Sequence, residues 1–241
     1  MRSINRDRFD QHRGANMGAN YRNASIAGGT GGVVGWVIFL VAFILAPTPP
    51  TLGASASEIT KYFSEHHSAT LGSAFLFATT ALPFAIWAGA LAARLREAEG
   101  DAAWLHLTFL YGVIVTIAVD VCASFVFMAL AGRGWALGDA SAQTLADITN
   151  YAYIFTGFGS VVFVTAASVV MIRTGVIAPL LGQLGLIVAI IQVIYLITAF
   201  FSDGIMVGGG LITIAGFTIL GLWLLAVSIA MIVRAPTAKT R

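Results

Sequence analysis

The sequence predicts an all-α fold, a polytopic membrane bundle of six transmembrane helices, and three observations carry that prediction. Hydrophobic residues fill 58% of the 241 positions and charged residues only 10%, whereas an average soluble domain carries roughly 25% charged residues. Six apolar stretches reach the length of about 20 residues that a helix needs to cross a hydrocarbon core of about 30 Å. No strand-length segment alternates with period two, and a backbone facing lipid must satisfy its own hydrogen bonds, so the spans read as helices and not as barrel strands.

Residues 1–24 are rich in Arg, Asn, Gly, Asp and Gln, too polar to bury enough surface to order themselves, and read as a flexible cytoplasmic tail. The transmembrane domain is expected over 25–234 with spans near 26–46, 70–92, 103–131, 151–172, 177–200 and 207–233, followed by a short cytoplasmic tail over 235–241. Its first span carries the overlapping pairs Gly28/Gly32 and Gly31/Gly35, small residues at the spacing that lets helices approach closely. The Gly28, Gly32 and Gly35 face is therefore a candidate surface for a second copy or another membrane protein. Ala54-Ser55-Ala56 has the form of a signal-peptidase site. The long basic region before the apolar run, the distance from the run to Ala56 and the paired glycines favour a retained helix instead.

The first outer loop opens with the turn-rich APTPPTLGASAS, and a helix is expected to start at Ser57, with Glu58 in its first turn. Along SEITKYFSEHH, Ile59, Tyr62 and Phe63 share one helical face. That pattern reads as a short amphipathic helix lying on the outer membrane surface. Pro83 is expected to kink the second span and free carbonyls there. The loop RLREAEGD mixes Arg94 and Arg96 with Glu97, Glu99 and Asp101 and reads as a solvated turn. Outer loop 132–148 is expected to form a second short surface helix, capped by Asp139 or Ser141.

The stretch EITKYFSEHHSATLGSAFLFATTALPFAIWAGALAARLREAEG, an amphipathic outer segment running into a Pro-containing span, resembles a group of uncharacterised six-span integral membrane proteins frequent in actinobacteria. The resemblance covers residues 57 to about 132. It implies architecture and bacterial origin and carries over no catalytic or binding residue.

Orientation follows from the cations, which concentrate on the cytoplasmic side of bacterial membrane proteins. Eleven of the 13 Lys and Arg residues fall in the two tails, the second loop and the fourth loop, leaving Lys61 and Arg133 on the other side. Both termini are thus expected in the cytoplasm, the result an even number of spans requires. Lys61 and Lys239 are the only lysines, and this bias toward Arg in an Ala- and Gly-rich chain points to a bacterium with a GC-rich genome. The expected location is the cytoplasmic, or inner, membrane.

Asp120 is the acid deepest inside a span, where a charged Asp costs about 2.5 to 3.5 kcal/mol. It must face protein or water, or be protonated. Thr116 and Ser124 lie one turn to either side of it. Counting depth at about 1.5 Å per residue places Thr79, Thr80, Tyr153, Thr156, Gln192, Tyr195 and Thr218 in a similar layer. This is the pattern of a buried polar site in the outer half of the bundle. Two accounts stay open: Asp120 bonds a neighbouring helix as packing glue, or it serves a ligand or a proton.

Several chemistries are argued against. Cys122 is the only cysteine, which excludes an intrachain disulfide and thiolate-built clusters. The four histidines offer no pair at one depth for haem, no lysine lies in a span for a retinal Schiff base, and the Gly-rich segments lack a phosphate-loop ending. His66 and His67 are a candidate outer-surface metal site, weakened because adjacent residues on a helix diverge by about 100°. No cofactor is expected, and a net charge of +2 gives no nucleic-acid footprint. Membrane lipid is the expected surrounding. The function classes left are an accessory or small-ligand-binding membrane protein, a small or proton-coupled transporter using Asp120, and a lipid-modifying enzyme, in that order.

Overall fold

The computed structural model describes residues 2–100, 103–133 and 136–235. Among these residues seven α-helices follow one another: α1 (Arg2–Leu45), α2 (Ala56–Thr79), α3 (Ala81–Glu99), α4 (Leu105–Arg133), α5 (Asp139–Thr174), α6 (Pro179–Ile197), continued by a 3-10 turn over Thr198–Phe200, and α7 (Leu211–Val233). Among the described residues there is no strand. Six segments are long and apolar enough to cross a membrane: Tyr21–Leu45, Ala56–Glu99, Leu105–Arg133, Asp139–Thr174, Pro179–Phe200 and Leu211–Val233. Helix α1 extends back over residues that the sequence reads as a polar tail. Side chains such as Val37, Ile44, Ile114, Ile187 and Ile190 are exposed around the bundle, the arrangement expected when the surrounding solvent is hydrocarbon.

Helices α2 and α3 together make the second crossing. Pro83 has no N–H to continue the ladder, and the helix divides at Thr80, one turn earlier. The N-terminus of α2 is fixed by Ser55 and not by Ser57. Ser55 Oγ accepts from the Glu58 N–H at 3.3 Å while the Glu58 carboxylate accepts from the Ser55 N–H at 2.8 Å. Only Ser55 has a Glu three residues on, which this reciprocal cap requires. These bonds hold the exposed Glu58 carboxyl below the usual carboxylate range.

The amphipathic part of α2 is bounded by His66, whose φ of −119° and ψ of 18° bend the helix. Its apolar face does not lie on lipid. Ile59 and Phe63 are buried against Phe127, Leu130, Ala142 and Ala146 of α4 and α5, and the Tyr62 hydroxyl donates to the Pro47 carbonyl at 2.6 Å. Among the described residues the expected second surface helix over 132–148 is also absent as a separate element. Helix α5 runs unbroken for 36 residues from Asp139, with Gly138 at its N-cap and no side-chain cap bond. No proline interrupts it, and Ala142 and Ala146 pack inward on the same buried stripe as the rest of the helix.

Helix α5 is the hub of the bundle: 67% of its apolar window is buried, against no more than 39% in any other span. Backbone approaches made by glycine create this position. A methyl group on Gly112 of α4 would lie 2.6 Å from the Phe163 nitrogen and 2.8 Å from the Gly159 oxygen, and one on Gly182 of α6 would lie 2.7 Å from the Ser168 oxygen. The glycines of α1 are used in the same way. Gly28 abuts Ala90, Gly31 abuts the Pro83 carbonyl and Gly32 abuts Ser228 and Trp87, so the face that the sequence offers to a second copy is covered by α3 and α7 of the same chain.

One end of the bundle is sealed by polar bonds. Ser25 Oγ donates to the Met231 carbonyl, Arg94 donates to Ser25 Oγ and to the Arg234 carbonyl, and Arg234 donates to the Ile177 carbonyl. The start of the first crossing, the ends of α3 and α7 and the α5–α6 loop therefore share one face, called here the basic face. Glu99 lies at this end and is not the solvated turn residue expected. It is partly buried and caps α4, accepting from the Leu105 and His106 N–H groups at 2.9 Å each and facing His106 Nδ1 at 3.1 Å.

Candidate functional site

The half of the bundle away from the basic face is hollow. A cavity of about 230 Å³ is walled by α1, α2, α4, α5 and α7 and roofed by residues 46–49 and Gly209. A second cavity, of about 110 Å³, continues toward the basic face between α1, α3, α4 and α7. Four side chains line both: Trp36, Phe39, Asp120 and Phe217. Asp120 thus sits at the junction of the two spaces.

The walls are mainly aromatic. Trp36, Phe39 and Phe43 fall at i, i+3 and i+7 on α1 and project together. Phe39 stacks on Trp36 with ring centroids 5.0 Å apart and meets Phe77 edge-on at 5.4 Å and Phe217 at 6.3 Å. Phe127 and Tyr153 complete the far wall in a perpendicular pair at 6.3 Å. The lining residues that are also exposed are Leu40, Phe43, Pro47, Thr48, Pro49 and Thr218. The mouth therefore lies among the ends of α1 and α7 and the loop that follows α1.

The roof is held by hydrogen bonds between distant loops. Leu52 N–H donates to the Gly208 carbonyl at 2.9 Å, Asn150 Nδ2 to the Pro50 carbonyl at 3.2 Å and Gly209 N–H to Thr213 Oγ1 at 3.0 Å. Gly209 has a φ of 83°, a conformation that glycine adopts without strain. The Gly208–Gly210 segment, expected to belong to the sixth span, is this turn, and α7 starts only at Leu211.

The polar layer expected from depth counting divides in two. Asp120, Tyr153 and Thr218 line the larger cavity, and Asp120, Thr80 and Thr116 line the smaller one. Thr79, Ser124, Thr156, Gln192 and Tyr195 line neither. Three of them tie helices together: Gln192 Nε2 donates to the Gly216 carbonyl at 2.9 Å, Tyr195 OH donates to the Tyr153 carbonyl at 2.6 Å, and Ser124 Oγ lies 3.4 Å from the Tyr153 hydroxyl, while Thr156 Oγ1 donates to the Tyr153 carbonyl of its own helix at 2.6 Å. Thr79, Thr80 and Thr116 bond carbonyls of their own helices, Thr116 also reaching the Thr156 carbonyl at 3.4 Å, as short hydroxyls in helices commonly do.

Asp120 differs from all of these. It is half-buried, and among the described residues none donates a hydrogen bond to its carboxyl: Thr116 Oγ1 donates to carbonyls of α4 and α5, and Ser124 Oγ and the Tyr153 hydroxyl face each other at 3.4 Å. Among the described residues no Lys, Arg or His lines either cavity. The site holds one acid among aromatic walls.

The aromatic walls are what depth counting of polar residues missed. Their signal was the spacing of Trp36, Phe39 and Phe43 in α1, which hydropathy alone cannot separate from a lipid-facing stripe. His66 and His67 are not brought together: the His66 ring packs on Tyr62 at 5.2 Å while His67 meets Ser68. Among the described residues no three His, Cys, Asp or Glu side chains are grouped to hold a metal ion.

The fold and its surface define the class: a multi-pass, all-helical membrane protein with an internal cavity. Compared with protein-family models, curated proteins and solved structures, the chain matches none.

Proposed function

We propose that this chain is a non-enzymatic small-ligand-binding protein of a bacterial cytoplasmic membrane, whose site is the aromatic cavity at Asp120. The observation that carries the reading is a preformed cavity of about 230 Å³ lined by an acid, Asp120, that accepts no hydrogen bond among the described residues, since ligand sites are mostly apolar spaces with a few placed polar groups. Both termini face the cytoplasm in this reading, supported by the sequence count of eleven of the 13 Lys and Arg residues in the two tails and the second and fourth loops. The bias toward Arg and the resemblance of residues 57 to about 132 to six-span actinobacterial proteins support the bacterial source. Membrane lipid surrounds the bundle, and another membrane protein or a second copy is the partner such an accessory role implies.

Heavy-atom quenching tests the cavity. Bromobenzene should quench Trp36 fluorescence saturably in purified protein, and Thr218→Phe, which narrows the mouth, should weaken that binding. Linear quenching, equal in both proteins, would reduce the effect to partition into detergent and remove the reading.

A second reading, a proton-coupled or other small carrier, is favoured by the place of Asp120 between two cavities that share four wall residues. A carrier must open toward the basic face, so Arg94→Ala, which unties the Ser25 and Arg234 bonds, should change Trp36 quenching by a water-soluble agent added from that side of proteoliposomes. Unchanged quenching counts against it.

A further inference from the structure

We infer that the ligand of this cavity is a lipophilic organic cation, an amine or quaternary ammonium on a small apolar body. The inference rests on the binding reading above and narrows its ligand class.

Three features converge on it. The first is the uncompensated acid. Asp120 receives no hydrogen bond among the described residues and no basic side chain lines either space, so the counter-charge that would stabilise an ionised carboxylate has to arrive with the ligand. The second is the wall. Trp36, Phe39, Phe77, Phe127, Tyr153 and Phe217 present ring surfaces, and aromatic faces attract ammonium groups most strongly where water is excluded. An anionic or strongly hydrated ligand gains nothing from such a lining. A metal cation is equally poorly served, because hard cations take about six or more oxygen ligands. Here Ser73 Oγ is committed to the Ala42 carbonyl and Asn150 to the roof.

The third feature is size. An apolar cavity of about 150 Å³ holds benzene, so the space of about 230 Å³ accommodates a body of roughly nine or ten non-hydrogen atoms on the same scale. The head group would sit at the junction beside Asp120, with its body in the larger cavity. The mouth, bounded by Leu40, Phe43 and Thr218, suits a molecule that carries its own apolar surface.

Displacement of bromobenzene from the purified full-length protein separates the possibilities. Benzyltrimethylammonium, a permanent cation, and neopentylbenzene, its neutral counterpart with carbon in place of nitrogen, have the same shape. The wild type should bind the cation at least tenfold more tightly than the neutral compound. Asp120→Asn, which loses no hydrogen bond and so keeps the fold, should abolish that preference and leave neopentylbenzene binding within twofold of wild type. Trp36→Leu should weaken the cation more than the neutral compound. Equal affinity for the two compounds in the wild type, or a preference that survives in Asp120→Asn, overturns the cation assignment and leaves a binding cavity standing. Absence of any saturable bromobenzene site overturns both.

Discussion

Glu99 and Asp120 are both partly withdrawn from the surface of this bundle, in surroundings packed to opposite degrees. Glu99 lies at the basic face, where two backbone N–H groups and the His106 imidazole surround it. Asp120 lies in the hollow half, at the junction of two cavities and without a donor. The surroundings differ in the same sense. Near the basic face, Trp87, Leu91, Leu95, Phe109 and Phe163 form one continuous core in which each is fully buried. Around Asp120 comparable aromatic rings enclose empty space. A buried acid whose partners are all supplied by its own chain is explained by folding. One whose partners are missing needs something from outside.

The contrast makes its strongest prediction at Glu99. Glu99→Ala strands two N–H groups and the imidazole in a partly buried setting and should lower stability by about 2 kcal/mol, read as a drop in melting temperature in detergent. A stability within error of wild type would mean that the α4 N-terminus is solvated after all.

Gly112→Ala should cost about 2 kcal/mol, because the added methyl meets backbone atoms of α5 at 2.6 and 2.8 Å and the helices must separate. Its counterpart in the hollow half is Gly35, which lines the smaller cavity and whose added methyl would meet Pro83 Cγ at an ordinary 3.5 Å. Gly35→Ala should therefore be neutral or stabilising by up to about 1 kcal/mol through helix propensity. Equal losses at the two sites would show that the two halves are packed alike.

Asp120→Leu should leave stability within about 1 kcal/mol of wild type, since no hydrogen bond is lost and apolar surface is gained. A bridge between helices would instead make the loss about 1 to 2 kcal/mol, so the melting of this variant separates a structural acid from a ligand-facing one.

The smallest effect concerns Glu58, exposed in the polar first turn of α2, ahead of the apolar run of the second crossing. Its carboxyl is held below the ordinary range by the Ser55 bonds, so its contribution is present above its unfolded pKa and is lost as pH falls through the lower folded value. Hydrogen exchange at the first turn of α2 should rise on acidification below pH about 4, and Ser55→Ala should remove that pH dependence.

Much of the architecture was legible because hydropathy acts residue by residue. A run of about 20 apolar side chains crosses hydrocarbon whatever its neighbours are, so the six crossings, their even number and the break before Pro83 follow from the chain alone. Asp120 stood out for the same reason, as an acid in an apolar run. Contacts are properties of pairs and depend on how each helix is rotated. The amphipathic residues Ile59 and Phe63 show an apolar face in sequence, yet lipid and protein are equally apolar covers for it, and only packing chose α4 and α5. Glu99 reads as a turn residue until the fold brings the N-terminus of α4 to it. The glycines of α1 advertise a close approach without naming the partner, which proved to be α3 and α7. Gln192 and Tyr195 share a depth with Asp120 but face other helices, because depth specifies one coordinate of a side chain and its direction around the helix axis specifies another. Sequence alone determined what each segment is dissolved in; tertiary structure decided what each side chain touches, and with it which polar groups were satisfied and which single carboxyl was left facing an empty aromatic space.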